Sequence, residues 1–107
     1  MDERTRGQPS LPAGWQVDIC IVSWRTRDLL RRCLRSVIGQ PQVGQVLVVD
    51  NASHDGTVEM VRQDFPSVAL IANDRNLGFA AANNQALRAG TAPFALLLNP
   101  DTELLPG

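Results

Sequence analysis

The 107-residue sequence predicts an α/β fold, in which a parallel sheet carries helices on both faces. Short apolar, β-branched runs alternate along the chain with segments whose apolar residues repeat at helical spacing. This alternation, with short connections, favours parallel strands joined by right-handed crossovers. The predicted strands are continuously apolar, which is typical of a sheet covered on both faces. The architecture is therefore Rossmann-like, and ligands of such sheets bind beyond the carboxyl ends of the strands.

The composition excludes several classes of protein. A net charge of −1 provides no basic surface for nucleic acid, so we expect no nucleic-acid partner. No apolar run approaches the roughly 20 residues of a membrane span, and we expect no transmembrane segment in this chain. Cys20 and Cys33 lie inside apolar patterns and lack the spacing of a disulfide framework. Buried thiols in a reducing cytoplasm are the better interpretation.

The chain divides into a short arm and one domain. Residues 1–16 are polar, contain prolines and lack the apolar core of a signal peptide, so they are predicted to form a flexible N-terminal arm. Residues 17–107 form the predicted domain.

The first strand and helix follow directly after the arm. Residues 17–24 are apolar and β-branched and predict a strand, after which Thr26 can cap a helix over residues 27–38. Gly39 ends that helix. Its predicted inward face comprises Leu29, Leu30, Cys33, Leu34, Val37 and Ile38.

Two further strand and helix pairs follow. Residues 45–50 predict a buried second strand, and in the turn-rich loop 51–56 either Ser53 or Asp55 can cap the next helix, Thr57–Asp64. Residues 68–72 predict a shorter third strand.

The last predicted helix and strand follow the loop 73–78. The Ala-rich segment Phe79–Ala89 predicts a helix that Gly90 ends. The final strand, Phe94–Leu98, contains three consecutive leucines and is predicted to be fully buried.

Polar groups follow three of the four predicted strands. They are Ser23-Trp24-Arg25, Asp50-Asn51 and Asn99-Pro100-Asp101. Because the carboxyl ends of parallel strands meet at one edge of a sheet, we expect these groups to converge there.

Each of these groups has a functional and a structural interpretation. Asp101 and Glu103 are hard oxygen donors suited to a divalent cation that also holds a diphosphate, or they are a turn carboxylate and a solvated one. Asp50 can accept hydrogen bonds from a base or a ribose hydroxyl. Trp24 is either a surface on which a nucleobase stacks or a core or rim aromatic.

The start of the third helix is a further candidate. Gly78 permits close backbone approach, and the helix N-terminus offers free N–H groups to an anion. The alternative is a simple Asn-capped helix with Phe79 in the core. His54 is predicted to be an exposed loop residue without a metal partner.

Four blocks carry a resemblance to a known family. They occupy residues 19–24, 48–57, 76–84 and 98–103, in order and at ordinary spacing. Together they resemble family 2 glycosyltransferases, inverting nucleotide-sugar enzymes of the GT-A fold. The Asp50-Asn51-Ala52-Ser53 and Asn99-Pro100-Asp101-Thr102 forms are similar to the rhamnosyltransferase-like branch.

The resemblance implies roles for individual residues. Ser23 and Trp24 would flank the nucleobase, while Asp50 and Asn51 would hold base and ribose; the family often has Asp-Asp at these two positions. Gly78 and Asn83 would complete the nucleotide site. Asp101 would face a Mg²⁺ or Mn²⁺ ion. Asn99 stands where the first acid of the family's Asp-x-Asp motif usually stands, and Asn99 or Glu103 are further candidate ligands.

The resemblance also implies a reaction. A sugar would pass with inversion from a dTDP- or UDP-sugar to a hydroxyl of an acceptor glycan or lipid-linked sugar, in cell-surface polysaccharide biosynthesis. The family's general base lies beyond the metal motif, so we expect it beyond Gly107. We therefore expect no catalytic base in this chain, which would be a donor-binding part truncated at its C-terminal side and inactive alone.

Two alternatives stay open at this point. The chain could be a non-catalytic nucleotide-binding remnant or regulatory module. A nucleotidylyltransferase is less favoured, because such enzymes place a Gly-rich loop after the first strand and residues 23–27 contain no glycine. The complete protein is expected in the cytoplasm, with the cytoplasmic face of the membrane as its second candidate location.

Overall fold

A computed structural model describes residues 16–104, which form seven elements in the predicted alternating order. The strands are β1 (Val17–Ser23), β2 (Val43–Asp50), β3 (Ala69–Ala72) and β4 (Phe94–Leu98). The helices are α1 (Arg27–Val37), α2 (Thr57–Asp64) and α3 (Phe79–Ala89). The N-terminal arm, including Trp15, lies outside these residues except for Gln16.

The four strands form one parallel sheet in the order β3-β2-β1-β4. At the carboxyl edge, Ser23 of β1 is level with Asp50 of β2, and Ile21 is level with Leu98 of β4. The connection through α3 returns from β3 to the far side of β1, so the strand order reverses between β1 and β4. That reversal is where a parallel sheet offers a crevice for ligands.

Helices cover both faces of the sheet, as the apolar strands predicted. On one face α1 and α2 pack against alternate residues of β1 and β2, and on the other face α3 packs against the intervening residues. The first cluster includes Ile19, Ile21, Leu30, Leu34, Val48 and Val61, and the second includes Cys20, Val22, Leu47, Val49, Ala82 and Ala86. Cys20 and Cys33 are free, buried thiols, as expected.

A buried carboxylate joins three segments at the amino edge of the sheet. Asp18 is 2% exposed, and its Oδ1 accepts a hydrogen bond from the Gln45 N–H at 2.9 Å. Its Oδ2 accepts from the N–H groups of Thr91 at 2.7 Å and Ala92 at 2.9 Å. Burial acts to raise the pKa of Asp18, but the three backbone donors outweigh it and hold that pKa below its ordinary value.

Two glycines make room for this carboxylate. A Cβ atom on Gly44 would lie 2.9 Å from Asp18 Oδ1, and one on Gly90 would lie 2.6 Å from Oδ2. The pairing register of β1 with β2 also shifts between Val17 and Ile19, beside the same side chain. Glycine at position 90, the C-cap residue of α3, thus has a steric cause.

The structure corrects the burial predicted for β4 and for two residues of the first predicted helix. Within residues 16–104, β4 pairs only with β1, and its leucines are largely exposed, with Leu97 at 47%. Leu29 and Ile38 were predicted to face the core but are 41% and 36% exposed, and Ile38 is the C-cap residue that follows α1. In the first turn of α1 it is the next residue, Leu30, that packs in the core, while Leu29 lies beside it on the exposed side.

The helix starts also differ from the predicted caps. Thr26 occupies the N-cap position of α1, but its hydroxyl pairs with Ser23 Oγ at 3.0 Å instead of capping the helix. Gly56 is the N-cap residue of α2, and Asp55 accepts hydrogen bonds from the N–H and the hydroxyl of Thr57. Ser53 does not cap α2, because its hydroxyl bonds to Asp50 and to the Arg25 N–H. The remaining differences are shifts of one or two residues at the ends of β1, α1, β2 and β3.

We expect the substitution Asp18→Asn to destabilise the fold by about 3 kcal/mol, because the amide group would turn an N–H donor toward backbone N–H donors. Asp28→Asn is the matched control, since Asp28 is exposed and its ion pairs lie at the surface. The control should change the free energy of unfolding by less than about 0.5 kcal/mol. Urea unfolding of the three proteins measures both values, and equal losses would contradict the role of Asp18.

The lowered pKa of Asp18 also predicts a pH dependence. A carboxyl group with a lower pKa in the folded state than in the unfolded state stabilises the fold above the unfolded value of about 3.9. That stabilisation is lost as the pH falls through the folded value. The stability difference between the native protein and Asp18→Asn should therefore be full at pH 7 and shrink below about pH 4. A difference that grows on acidification would refute this account.

Candidate functional site

A cavity lies at the carboxyl edge of the sheet, where the strand order reverses. Its volume is about 480 Å³. The groups predicted to converge do meet here, because all three strand ends contribute to its walls. The lining residues are Val22, Trp24, Thr26, Leu29, Asn51, Asn76, Gly78, Phe79, Asn99, Pro100 and Asp101.

Two aromatic rings are exposed on the walls of this cavity. Trp24 follows β1 and is 46% exposed, with the guanidinium carbon of Arg25 lying 4.6 Å from its ring centroid. Phe79 begins α3 and is 59% exposed, so it is not the core residue of the structural interpretation. Exposed apolar patches of this kind mark ligand-binding or interaction surfaces.

The Asp50 carboxylate is buried and is bonded within its own loop. It is 2% exposed, and its two oxygens accept from Ser53 N–H at 3.1 Å and from Ser53 Oγ at 2.5 Å. The same Ser53 oxygen accepts a hydrogen bond from the Arg25 N–H at 2.8 Å. Ser53 therefore links the end of β2 to the loop that follows β1.

The Asn51 amide makes a second link, from the end of β2 to the loop before α3. Its Nδ2 donates to the Gly78 carbonyl at 3.2 Å, and its Oδ1 accepts from Asn73 Nδ2 at 3.0 Å and Leu77 N at 3.4 Å. Asn73 in turn exchanges two side-chain hydrogen bonds with Gln85 of α3, at 2.8 and 3.0 Å. Although Asn51 lines the cavity, it is only 2% exposed.

Two other predicted contacts are buried side chains outside the cavity lining. Ser23 is paired with Thr26, and Asn83 lies on the inward side of α3. Gly78 does line the cavity, and its φ of +87° is a conformation that L side chains rarely adopt. No Cβ would clash there, so the backbone angle is the reason for glycine at this position.

The loop after β4 separates its two acidic residues. Asp101 lines the cavity, whereas Glu103 pairs with Arg32 of α1 at 3.5 Å. The Leu104 N–H donates to Ser36 Oγ at 2.9 Å, which also holds the loop against α1. Burial, together with the charges of Asp101 and Glu103, raises the pKa of the Cys33 thiol to about 11, so this cysteine stays protonated.

The oxygen atoms on the cavity wall suit a hard divalent cation only if the bound ligand supplies further oxygen atoms to the same ion. Across residues 16–104, no three His, Cys, Asp or Glu side chains come together as a metal site. Asp101 and Asn99 both line the cavity and supply one carboxylate and one amide oxygen. Mg²⁺ is characteristically held by one or two carboxylates together with substrate phosphates. These residues therefore fit an ion that is bound jointly with a diphosphate.

Three participants were missed from the sequence. Leu29 was assigned to the core and Phe79 was placed there in the alternative interpretation, both by their apolar character, whereas each lines the cavity. Ser53 was considered only as a helix cap. Nothing in the sequence signalled its long-range hydrogen bond to Arg25.

No helix in the part of the chain that the structure describes is both long and apolar enough to cross a membrane.

Comparison with known proteins gives consistent matches. The chain is 36% identical over 90 residues to the TPR repeat-containing protein Synpcc7942_0270 of Synechococcus elongatus, covering 84% of this chain and 21% of that protein. It is 34% identical over 73 residues to an N-acetylglucosaminyl-diphospho-decaprenol L-rhamnosyltransferase of Mycobacterium tuberculosis, covering 58% and 24%. Both relatives are therefore several times longer than the matched region.

Solved structures share the fold. The mannosyltransferase PcManGT from Pyrobaculum calidifontis, in complex with GDP-Man and Mn²⁺, superposes with a TM-score of 0.73 at 26% identity. The match covers 92% of this chain and 32% of that one. The parallel sheet and its flanking helices are thus those of GT-A glycosyltransferases.

The sequence model of glycosyl transferase family 2 matches residues 18–107. This match covers nearly the whole of the predicted domain. On this match and on the shared fold, the chain belongs to glycosyl transferase family 2.

Proposed function

We propose that this chain binds the nucleotide diphosphate part of a sugar donor in the cavity at the carboxyl edge of the sheet. The observation that carries the proposal is the composition of that cavity. Two exposed aromatic rings, Trp24 and Phe79, share it with an acidic residue, Asp101. Aromatic faces suit a nucleobase, and oxygen donors suit a cation that bridges phosphates.

Different residues of the cavity wall would bind different parts of the donor. Trp24 and Phe79 would stack on the base, and Gly78 would let the ligand approach the backbone at the start of α3. Asp101, with Asn99, would hold a Mg²⁺ or Mn²⁺ ion on the diphosphate. When bound, such an ion neutralises the negative charge of the leaving nucleoside diphosphate. Glu103 is already paired with Arg32 and is assigned to the loop instead.

The transfer itself would be inverting and would require a general base for the acceptor hydroxyl. Asp101 is the only carboxylate among the residues that line the described cavity, and it is assigned to the diphosphate. We therefore place the base, and the acceptor site, in a part of the protein outside residues 16–104. The chain spans 21% and 24% of two curated relatives, which leaves room for such a part.

The donor is proposed to be a dTDP- or UDP-sugar, and the acceptor a glycan or lipid-linked sugar. A lipid-linked acceptor is supported by the name of the rhamnosyltransferase relative, which is an N-acetylglucosaminyl-diphospho-decaprenol L-rhamnosyltransferase. Free buried thiols at Cys20 and Cys33 suit a reducing cytoplasm. The exposed leucines of β4 are proposed to be covered by the remainder of the complete domain.

Trp24 should report nucleotide binding directly. In a Trp15→Phe background Trp24 is the only tryptophan, and stacking of a base on its indole should change its emission. We expect saturable changes on titration with UDP or dTDP in the presence of Mn²⁺. GDP serves as the base-specificity control. Binding that calorimetry detects but Trp24 emission does not would remove this residue from the site.

Asp101 should matter more than Glu103 for ion-dependent binding. We expect Asp101→Asn to lower the affinity for UDP with Mn²⁺ by tenfold or more, about the effect of one charge-assisted contact. Glu103→Gln, which removes one charge from the same loop, should change it less than about threefold, because a surface ion pair contributes little. Calorimetric titration measures both, and the reverse order would overturn the assignment.

A further inference from the structure

Asp50 and Asn51 are neighbours, are both buried, and have side chains that are bonded within the protein. Asp50 acts through Ser53 on the backbone N–H of Arg25, the residue after Trp24. Asn51 acts on the carbonyl of Gly78, the residue before Phe79. Each member of the pair thus holds the backbone beside one of the two exposed aromatic rings.

From this arrangement we propose that Asp50 and Asn51 are positioning residues. They set the places of Trp24 and Phe79 in the cavity, and they do so without bonding to the donor. This inference rests on the proposed function only in its use of the two rings as the base site. It changes the roles that the resemblance implied, in which both residues hold base and ribose themselves.

The backbone at Arg25 shows why a restraint is needed there. Its φ is +54°, a left-handed conformation that is unfavourable for a non-glycine residue. Such a conformation persists only when surrounding contacts maintain it. The hydrogen bond from Arg25 N–H to Ser53 Oγ is that contact, and Asp50 fixes Ser53 through both its N–H and its hydroxyl.

The Gly78 side of the cavity requires an amide at position 51. The Gly78 carbonyl accepts one hydrogen bond from Asn51 Nδ2. It accepts a second, at 3.2 Å, from the N–H of Ala82 in the first turn of α3. A carboxylate at position 51 could still accept from Asn73 and Leu77, but it would face the Gly78 carbonyl with a second oxygen. Repulsion would then displace Gly78 and the start of α3, where Phe79 lies.

The first test uses the free protein, so it does not depend on nucleotide binding. In Asn51→Asp, amide hydrogen exchange of residues 73–82 should accelerate roughly tenfold, the equivalent of one lost hydrogen bond. Core amides such as Val48 should keep their rates. Asn84→Asp adds the same charge on the exposed side of α3 and should leave the segment unchanged.

Ser53 provides the matching test on the other side. Ser53→Ala should accelerate exchange at Arg25 by a similar factor, and Ser53→Thr, which keeps the hydroxyl, should restore protection. If Asn51→Asp does not fold by circular dichroism, Gln85→Glu replaces it, since Gln85 donates to the same network through Asn73. Unchanged exchange in folded variants would overturn the proposal.

The second test separates positioning from direct contact by double-mutant cycles with UDP and Mn²⁺. If Asn51 acts through Phe79, Asn51→Asp should weaken binding about tenfold in the native background but little in a Phe79→Ala background. Ser53→Ala and Trp24→Ala form the second cycle. An Asn51→Asp effect that persists undiminished without Phe79 would show that Asn51 does not act through Phe79 and would refute the inference. Absence of UDP binding by the native chain would refute the proposed function alone, because the exchange test would still stand.

Discussion

The buried carboxylate of Asp18 is the interaction on which the arrangement of this sheet depends. It lies at the amino edge of β1 and accepts backbone hydrogen bonds from β2 and from the segment that enters β4. It thereby fixes the register of the three strands whose other ends form the cavity. A shift of one residue in any of them would turn its side chains to the opposite face of the sheet. Desolvating a charge is unfavourable, but three N–H donors offset that cost and leave the carboxyl group ionised.

Position in a strand decides which of the acidic residues hold the fold and which can meet a ligand. Asp18 and Asp50 stand at opposite ends of the same sheet, and both have their oxygens engaged by protein N–H or O–H groups. Asp101 stands beyond a strand end, in a loop that Ser36 and Arg32 hold through its neighbours Leu104 and Glu103. The contacts of Leu104 and Glu103 hold the loop, while Asp101 lines the cavity.

Element order, the parallel sheet, the helices on both faces and the convergence of strand ends were all predictable from the sequence. They follow from apolar periodicity and from the short connections, which few topologies satisfy. The burial of apolar residues at the edge of the core was less predictable, because apolar character does not distinguish the core from a cavity wall. Leu29 and Phe79 illustrate this: both are apolar and exposed on the cavity wall, whereas Leu30, the neighbour of Leu29, is fully buried in the core. Bonds between distant loops, such as Ser53 with Arg25, have no local pattern and could not be predicted.

The amide at position 51 is best understood with its neighbours. The resemblance suggested an acid there, and a single amide in its place would look like the loss of a charge. In the structure, Asn51, Asn73 and Gln85 form one chain of side-chain amides in which each group both donates and accepts. A carboxylate at any of these positions would remove a donor that its partner requires. The three residues therefore depend on one another. The neutral side chain at position 51 follows from the need to hold the Gly78 carbonyl, independently of what the cavity binds.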